Sequence, residues 1–185
     1  MTFRIVNESI LDQGVDAIVN PANSFLQHGG GLARIIATAA IGPPLPNPGE
    51  DERIWFSRAR LTPTAAAWVR GQSEVGLVPL GGAVLTSAGC LPFKAIIHAV
   101  GPIWGGGGFC EVDLLRSAYK RSLMLAVGEG YASIALPAIS MGIFGVPRDV
   151  VASAACHAAR HYSHRIGVTI CLTSDEDVAA FEAFR

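Results

Sequence analysis

Two glycine-bearing stretches carry the residue types that could hold an anion. Asn20-Pro21-Ala22-Asn23 leads into His28-Gly29-Gly30-Gly31, and Ser140-Met141-Gly142-Ile143-Phe144-Gly145 follows far downstream. Residues without a Cβ let the backbone close on a phosphate or a sugar. Helices expected to start near Leu32 and at Pro147 would aim free N–H groups and the positive end of their dipoles at that group. Together the stretches suggest two walls of one phosphate cleft. Neither contains a Walker-type phosphate loop or a Gly-x-Gly-x-x-Gly fingerprint. A triple glycine also suits a flexible turn, and Phe144 also suits a core position, so the residues alone leave both readings open.

Other residues invite chemistry less strongly. His157 and His161 have the i, i+4 spacing of a zinc pair, with His164 nearby, but Ala158-Ala159-Arg160 replaces the glutamate of His-Glu-x-x-His, and a helix surface is the better reading. His98 inside Ile97-His98-Ala99-Val100 reads as a buried, hydrogen-bonded strand residue. Arg53, Arg58, Arg60 and Arg70 interleave with Trp55, Phe56 and Trp68, a mixture able to stack on single-stranded nucleic acid, although Glu50-Asp51-Glu52 offsets the charge. Glu111 and Asp113 read as the acidic first turn of a helix.

These residues need a scaffold, and the pattern supplies one. Phe3 to Val6 and Val15 to Val19 are β-branched runs, the second stopped by Asn20-Pro21. Leu32 to Ala40 is rich in helix formers and ends before Pro43-Pro44. A turn-rich loop over 43–53 and a short helix from Thr62 to Val69 follow. Leu77 to Thr86 and Ala95 to Val100 read as buried strands. Leu115, Ala118, Ser122 and Leu125 mark a helix, Tyr131 to Leu136 a strand, and Pro147 opens a helix burying Val151, Ala154, Ala155 and Ala158. Gly105 to Gly108 reads as a mobile loop. Val168 to Leu172 reads as the last strand, and Ser174 with Asp177 three on as a capping box for a final helix burying Val178 and Phe181. Strands alternating with helices predict an α/β sheet covered on both faces.

The chain has 185 residues, 50% apolar and 16% charged against about 25% in average usage, which argues against disorder and against a highly charged surface. Its formal net charge of −1 gives no general attraction to DNA or anionic lipid. The N-terminus lacks a signal-peptide pattern and the glycines and prolines between Val75 and Phe93 break any membrane helix, so a cytoplasmic protein is expected. The four cysteines, Cys90, Cys110, Cys156 and Cys171, have no Cys-x-x-Cys spacing and read as reduced, mostly buried thiols.

Taken in order, Val15-Asp16-Ala17-Ile18-Val19-Asn20-Pro21-Ala22-Asn23, His28-Gly29-Gly30-Gly31, Ile97-His98-Ala99-Val100-Gly101-Pro102 and Leu136-Pro137-Ala138-Ile139 running into Ser140 to Gly145 resemble the macro domain family, the ADP-ribose-binding α/β/α module, over most of the chain. The resemblance implies a three-layer α/β/α sandwich with a mixed, roughly six-stranded sheet, one domain over 1–185, and ADP-ribose across its crest. It implies a ligand-binding set of Ser9, Ile10, Ala22, Asn23, His28, Gly29, Gly30, Gly31, Ser140, Met141, Gly142, Ile143 and Phe144, with Asn23, Gly30 and Phe144 catalytic. Asn23 would bond the distal ribose, Phe144 would shape the water site, and backbone N–H groups would hold the diphosphate.

The implied function is binding of ADP-ribose and hydrolysis of mono-ADP-ribose from acidic side chains, or of O-acetyl-ADP-ribose, by a water near the distal C1″, with no side-chain nucleophile, cofactor or metal. The partners would be ADP-ribose or an ADP-ribosylated protein, with no nucleic acid or membrane, and the protein a monomer. Rival readings are a non-catalytic reader of ADP-ribosylated proteins, an ADP-ribose 1″-phosphatase and a nucleic-acid-binding module. The chain departs from the family at two places. Leu32 and Ala33 follow the triple glycine where some hydrolytic relatives carry an aspartate, which removes a candidate acid or base. Glu8-Ser9-Ile10 stands for Gly-Asp-Ile, and Thr173 for a stacking aromatic, which predicts weaker discrimination of adenine.

Overall fold

The computed structural model describes residues 3–28, 30–41 and 77–185. Its elements run β1 (Arg4–Asn7), β2 (Ala17–Ala22), α1 (Gly31–Ile41), β3 (Ala83–Thr86), β4 (Ala95–Val100), α2 (Glu111–Gly128), β5 (Ser133–Leu136), α3 (Arg148–Tyr162), β6 (Gly167–Leu172) and α4 (Asp175–Glu182). The loop over 43–53, the helix from Thr62 to Val69, the arginine and aromatic stretch and Gly29 lie outside the described residues.

The six strands form one mixed sheet in the order β1-β6-β5-β2-β4-β3, parallel throughout except for the antiparallel β3–β4 pair. Alternate strand residues feed two cores. Ile18, Ile96, Ala135 and Cys171 pack with Ile36 and Ala40 of α1 on one face. Ala17, Val19, Ile97, Ile134, Leu136 and Ile170 pack with α2, α3 and Phe181 of α4 on the other. Helices thus cover both faces of the sheet, as the alternating pattern predicts. Among the described residues no helix is long and apolar enough to cross a membrane.

β2 explains where the sheet opens. Its register with β4 runs from Ala17 to Ala22, but with β5 it covers only Ala17 and Ile18. Beyond Ile18 the side facing β5 is unpaired, so Pro21 can occupy a central strand at the point where the ladder has already parted. From there the chain leaves β2 toward α1 on one face and leaves β5 toward α3 on the other, which is the arrangement that opens a crevice at the carboxyl ends of parallel strands.

Several expectations need correction. Of Leu77 to Thr86 only the last four residues are strand, because Pro79 to Gly82 closes a turn, with Gly82 N–H donating to Pro79 O at 2.9 Å and Gly81 at φ +75°. The strand expected from Tyr131 begins at Ser133, since Ala132 N–H donates to Asp16 Oδ2 at 2.7 Å instead of joining the ladder. On α2, Leu125 is only half-buried, and the buried face turns through Tyr119, Leu123 and Ala126. Pro147 caps α3 from outside rather than opening it. Cys156 and Cys171 are buried, but Cys90 and Cys110 are exposed. At α4 the capping reading holds, with Asp177 N–H donating to Ser174 Oγ at 3.1 Å and Ser174 Oγ–H donating to Asp177 Oδ2 at 2.7 Å.

Candidate functional site

The crevice between β2 and β5 holds a cavity of about 370 Å³. Ala22, Asn23, Gln27, Gly30 and Gly31 form one wall, Ser140, Gly142, Ile143 and Phe144 the other, and Gly101, at the end of β4, contributes to the lining as well. The two glycine stretches therefore meet around one space, and Ile143 reaches across it: a Cβ on Gly30 would come to 3.5 Å from Ile143 Cδ1. Among the described residues that line it, none carries a charged side chain.

Polar capacity in the cavity lies mostly on the backbone. The N–H groups of Gly142, Ile143 and Phe144 have no partner among the described residues. Gly31, at φ +56°, opens α1, whose first turn also faces the cavity through Leu32 and Ala33. Ser140 is 7% exposed, stands at φ +66°, and its hydroxyl has no hydrogen-bond partner among the described residues. A buried hydroxyl left unsatisfied costs about 1–3 kcal/mol, so its persistence beside a cavity needs an explanation. Unengaged donors at a helix N-terminus and in a tight loop form an environment for an anion held without lysine or arginine.

Asn23 is already partly engaged. Its Oδ1 accepts from Phe25 N–H and Gln27 N–H, each at 3.0 Å, and its Nδ2 donates to Gln27 O at 3.0 Å. That leaves one amide hydrogen for a ligand. The side chain shapes the loop it belongs to and can donate one bond into the cavity.

Four residues of the sequence-derived set do not line the cavity. Ser9 Oγ accepts from Leu11 N–H at 3.2 Å, and neighbouring Glu8 accepts from Gln13 Nε2 at 2.8 Å. Ile10 is buried in the core beneath α1, and Met141 packs half-buried against the opposite core. His28 is buried, its ring 5.6 Å from that of His98, and desolvation holds its pKa below the ordinary value.

His98 is fully buried between two partners. Its Nδ1 lies 3.0 Å from Asn20 Nδ2 and its Nε2 2.8 Å from Thr86 Oγ1. Desolvation first, and His28 second, push its pKa down to about 3, so it stays neutral. The Asn20 amide then donates to Nδ1, which places the proton on Nε2 and makes His98 the donor to Thr86. This agrees with the strand reading of His98.

His157 and His161 are exposed and line a second cavity, of about 400 Å³, between α2 and α3 with Arg116, Lys120 and Asp113. Among the described residues no group of three histidine, cysteine or acidic side chains could hold a metal ion.

One structural contributor escapes sequence reasoning. Tyr119 of α2 is fully buried, donates its hydroxyl proton to Pro137 O at 2.9 Å and accepts from Ile139 N–H at 2.8 Å. Burial pushes its pKa up, so the proton stays on, and the hydroxyl clamps the start of the loop that carries Ser140. Its sequence signal, an aromatic four residues after Leu115, indicates only a core position.

Comparison with known proteins agrees with this geometry. The sequence pattern described as Macro domain matches residues 61–155, half of the chain. The chain belongs to the macro domain family. An O-acetyl-ADP-ribose deacetylase of Citrobacter rodentium is 43% identical over 163 residues, covering 88% of this macrodomain and 81% of the relative, and one of Escherichia coli is 38% identical over the same shares. A mutant Oceanobacillus iheyensis macrodomain with ADPR superposes with a TM-score of 0.79 at 27% identity, covering 97% of this chain and 89% of the other. The same macrodomain with ADP gives 0.78 at 28% identity, over 97% and 87%.

Proposed function

We propose that this macrodomain binds ADP-ribose across the β2–β5 crevice and hydrolyses its ester derivatives, O-acetyl-ADP-ribose and mono-ADP-ribose on acidic side chains. The observation that carries the reading is a cavity with no charged side chain among its described lining residues, walled by backbone donors from two loops and by a buried hydroxyl that has no partner among the described residues. Such a site suits a diphosphate, whose charge the α1 N-terminus and the amides of Gly142 to Phe144 would offset. The deacetylases among its relatives support the choice of ester.

In this reading Asn23 donates its remaining amide hydrogen to the distal ribose, Gly30 allows close approach, and Phe144 bounds the water. Water supplies the oxygen, the ester C–O bond breaks, and ADP-ribose leaves with the free acid. Among the described residues the cavity lining contains no carboxylate, histidine, cysteine or lysine, and the reading assigns catalysis to orientation and to charge stabilisation by fixed dipoles. That same absence favours the rival reading of a non-catalytic reader. At the adenine end the Ser9 hydroxyl and the Glu8 carboxylate are bonded within their own turn, which supports weak discrimination of adenine.

Calorimetric titration with ADP-ribose, ADP and AMP, followed by single turnover on O-acetyl-ADP-ribose, tests both readings. Asn23→Ala should weaken ADP-ribose binding by about 1–3 kcal/mol and slow turnover, because a ligand bond and the loop's own bonds go together. Wild-type binding without turnover establishes the reader. An Asn23→Ala protein that turns over unchanged removes Asn23 from the mechanism.

A further inference from the structure

Gly105 to Gly108 forms a loop with Gly106 at φ +101° and Gly107 at φ +85°, a backbone that few restraints would leave ordered. Its backbone is nevertheless bonded to one side chain. Glu111, the first residue of α2, is buried, and its Oε1 accepts from Gly105 N–H at 3.0 Å and Gly107 N–H at 3.3 Å. Its Oε2 accepts from Phe109 N–H at 2.6 Å. An acidic helix start alone does not require this arrangement: Asp113, in the same turn, leaves its side chain 78% exposed and among the described residues reaches only Arg116.

The loop held this way leads to the cavity. Gly107 packs on Trp104 so closely that a Cβ there would come to 3.1 Å from Trp104 Cη2. Trp104 N–H donates to Phe144 O at 2.8 Å, and Phe144 lines the cavity. We infer that Glu111 is a positioning residue: its carboxylate fixes the 105–109 loop against Trp104, and Trp104 fixes Phe144 in the cavity wall. The inference rests on the reading of Phe144 as the boundary of the water site. The chain of contacts meets Phe144 at its carbonyl oxygen and not at the N–H that would face the diphosphate, so the effect belongs to turnover rather than to ligand affinity.

Glu111→Gln keeps the shape and one acceptor but places a donor against backbone N–H groups. Hydrogen exchange at the Trp104 amide, kcat and KM for O-acetyl-ADP-ribose, and a double-mutant cycle with Phe144→Ala are measured together. The expected result is Trp104 exchange accelerated by more than the loss of global stability accounts for, with kcat lowered about tenfold or more and KM within about twofold. In the Phe144→Ala background the Glu111→Gln effect should vanish. Unchanged Trp104 exchange, or a kcat loss that adds in full to that of Phe144→Ala, overturns the inference. Should Glu111→Gln fail to fold, Trp104→Phe attacks the same link through the ring beneath Gly107, with the same expected and overturning results. A wild type that binds but does not turn over defeats the proposed hydrolysis, while the exchange data still decide whether Glu111 holds Trp104.

Discussion

The two ends of the central strands treat their polar groups in opposite ways. At the amino end of β2 every polar group of Asp16 is engaged. Asp16 Oδ1 pairs with Lys94 Nζ at 2.9 Å, Oδ2 accepts from Ala132 N–H at 2.7 Å, Asp16 N–H donates to Ser133 Oγ at 3.0 Å, and Asp16 O accepts from Lys94 N–H at 2.7 Å. At the carboxyl ends the Ser140 hydroxyl is buried without a partner, three amides of the following loop are unengaged among the described residues, and Ser140 itself holds a positive φ. One end closes the scaffold, and the other leaves bonds that a ligand can complete. Strain and unsatisfied groups persist where the surrounding structure over-determines them.

A pair of glycine substitutions breaks this comparison most sharply. A Cβ on Gly101 would overlap Ser140 Oγ and approach Ile139 Cγ2 to 2.6 Å, whereas a Cβ on Gly14, beside the amino end of β2, would meet nothing within 4 Å. Gly101→Ala should cost about 1–3 kcal/mol of stability and abolish ADP-ribose binding, since the loop carrying Ser140 must move. Gly14→Ala should leave stability within about 0.5 kcal/mol and binding unchanged. Urea unfolding and calorimetry on the two variants check both halves, and equal effects would dissolve the contrast.

Asp16→Asn is the next largest effect. The Lys94 ammonium, then the Ala132 N–H, hold the Asp16 carboxyl below its ordinary value of 3.8. A depressed folded value stabilises the protein above the unfolded value, and that stability is lost as pH falls through the folded one. The Lys94 side chain is 62% exposed, so solvent screening limits the loss in Asp16→Asn to about 1 kcal/mol at neutral pH. The variant should also lose less stability than wild type between pH 4 and lower values, with ligand affinity untouched. Unfolding midpoints measured across that acid range decide the matter.

Local signals made much of the fold legible. The β4 run from Ala95 to Val100 and the Ser174–Asp177 cap of α4 are written within a few residues of themselves, and the structure follows them. Leu77 to Gly82 misleads because an apolar run gives no direction when Pro79 and two glycines turn it. At the site, the glycine stretches announce a cleft, and the structure brings them together. The Tyr119 clamp was illegible because its partners lie 18 and 20 residues away in sequence and are backbone groups, which every residue has. The Glu111 tie had a faint signal, a carboxylate three residues after four glycines.

The smallest effect is the most discriminating, because its two readouts should move in opposite directions. Ser140→Ala removes a hydroxyl that has no partner in the free protein, so its deletion relieves an unsatisfied group and should raise stability by up to about 1 kcal/mol. If that hydroxyl completes its bond only on a ligand, ADP-ribose affinity should fall by about 1 kcal/mol in the same variant. The backbone at Ser140 keeps its φ of +66° either way, so the substitution tests the hydroxyl and not the turn. A Ser140→Ala protein that loses stability and keeps its affinity would place the hydroxyl in the scaffold, and the carboxyl ends of the strands would then resemble the amino ends more than their geometry indicates.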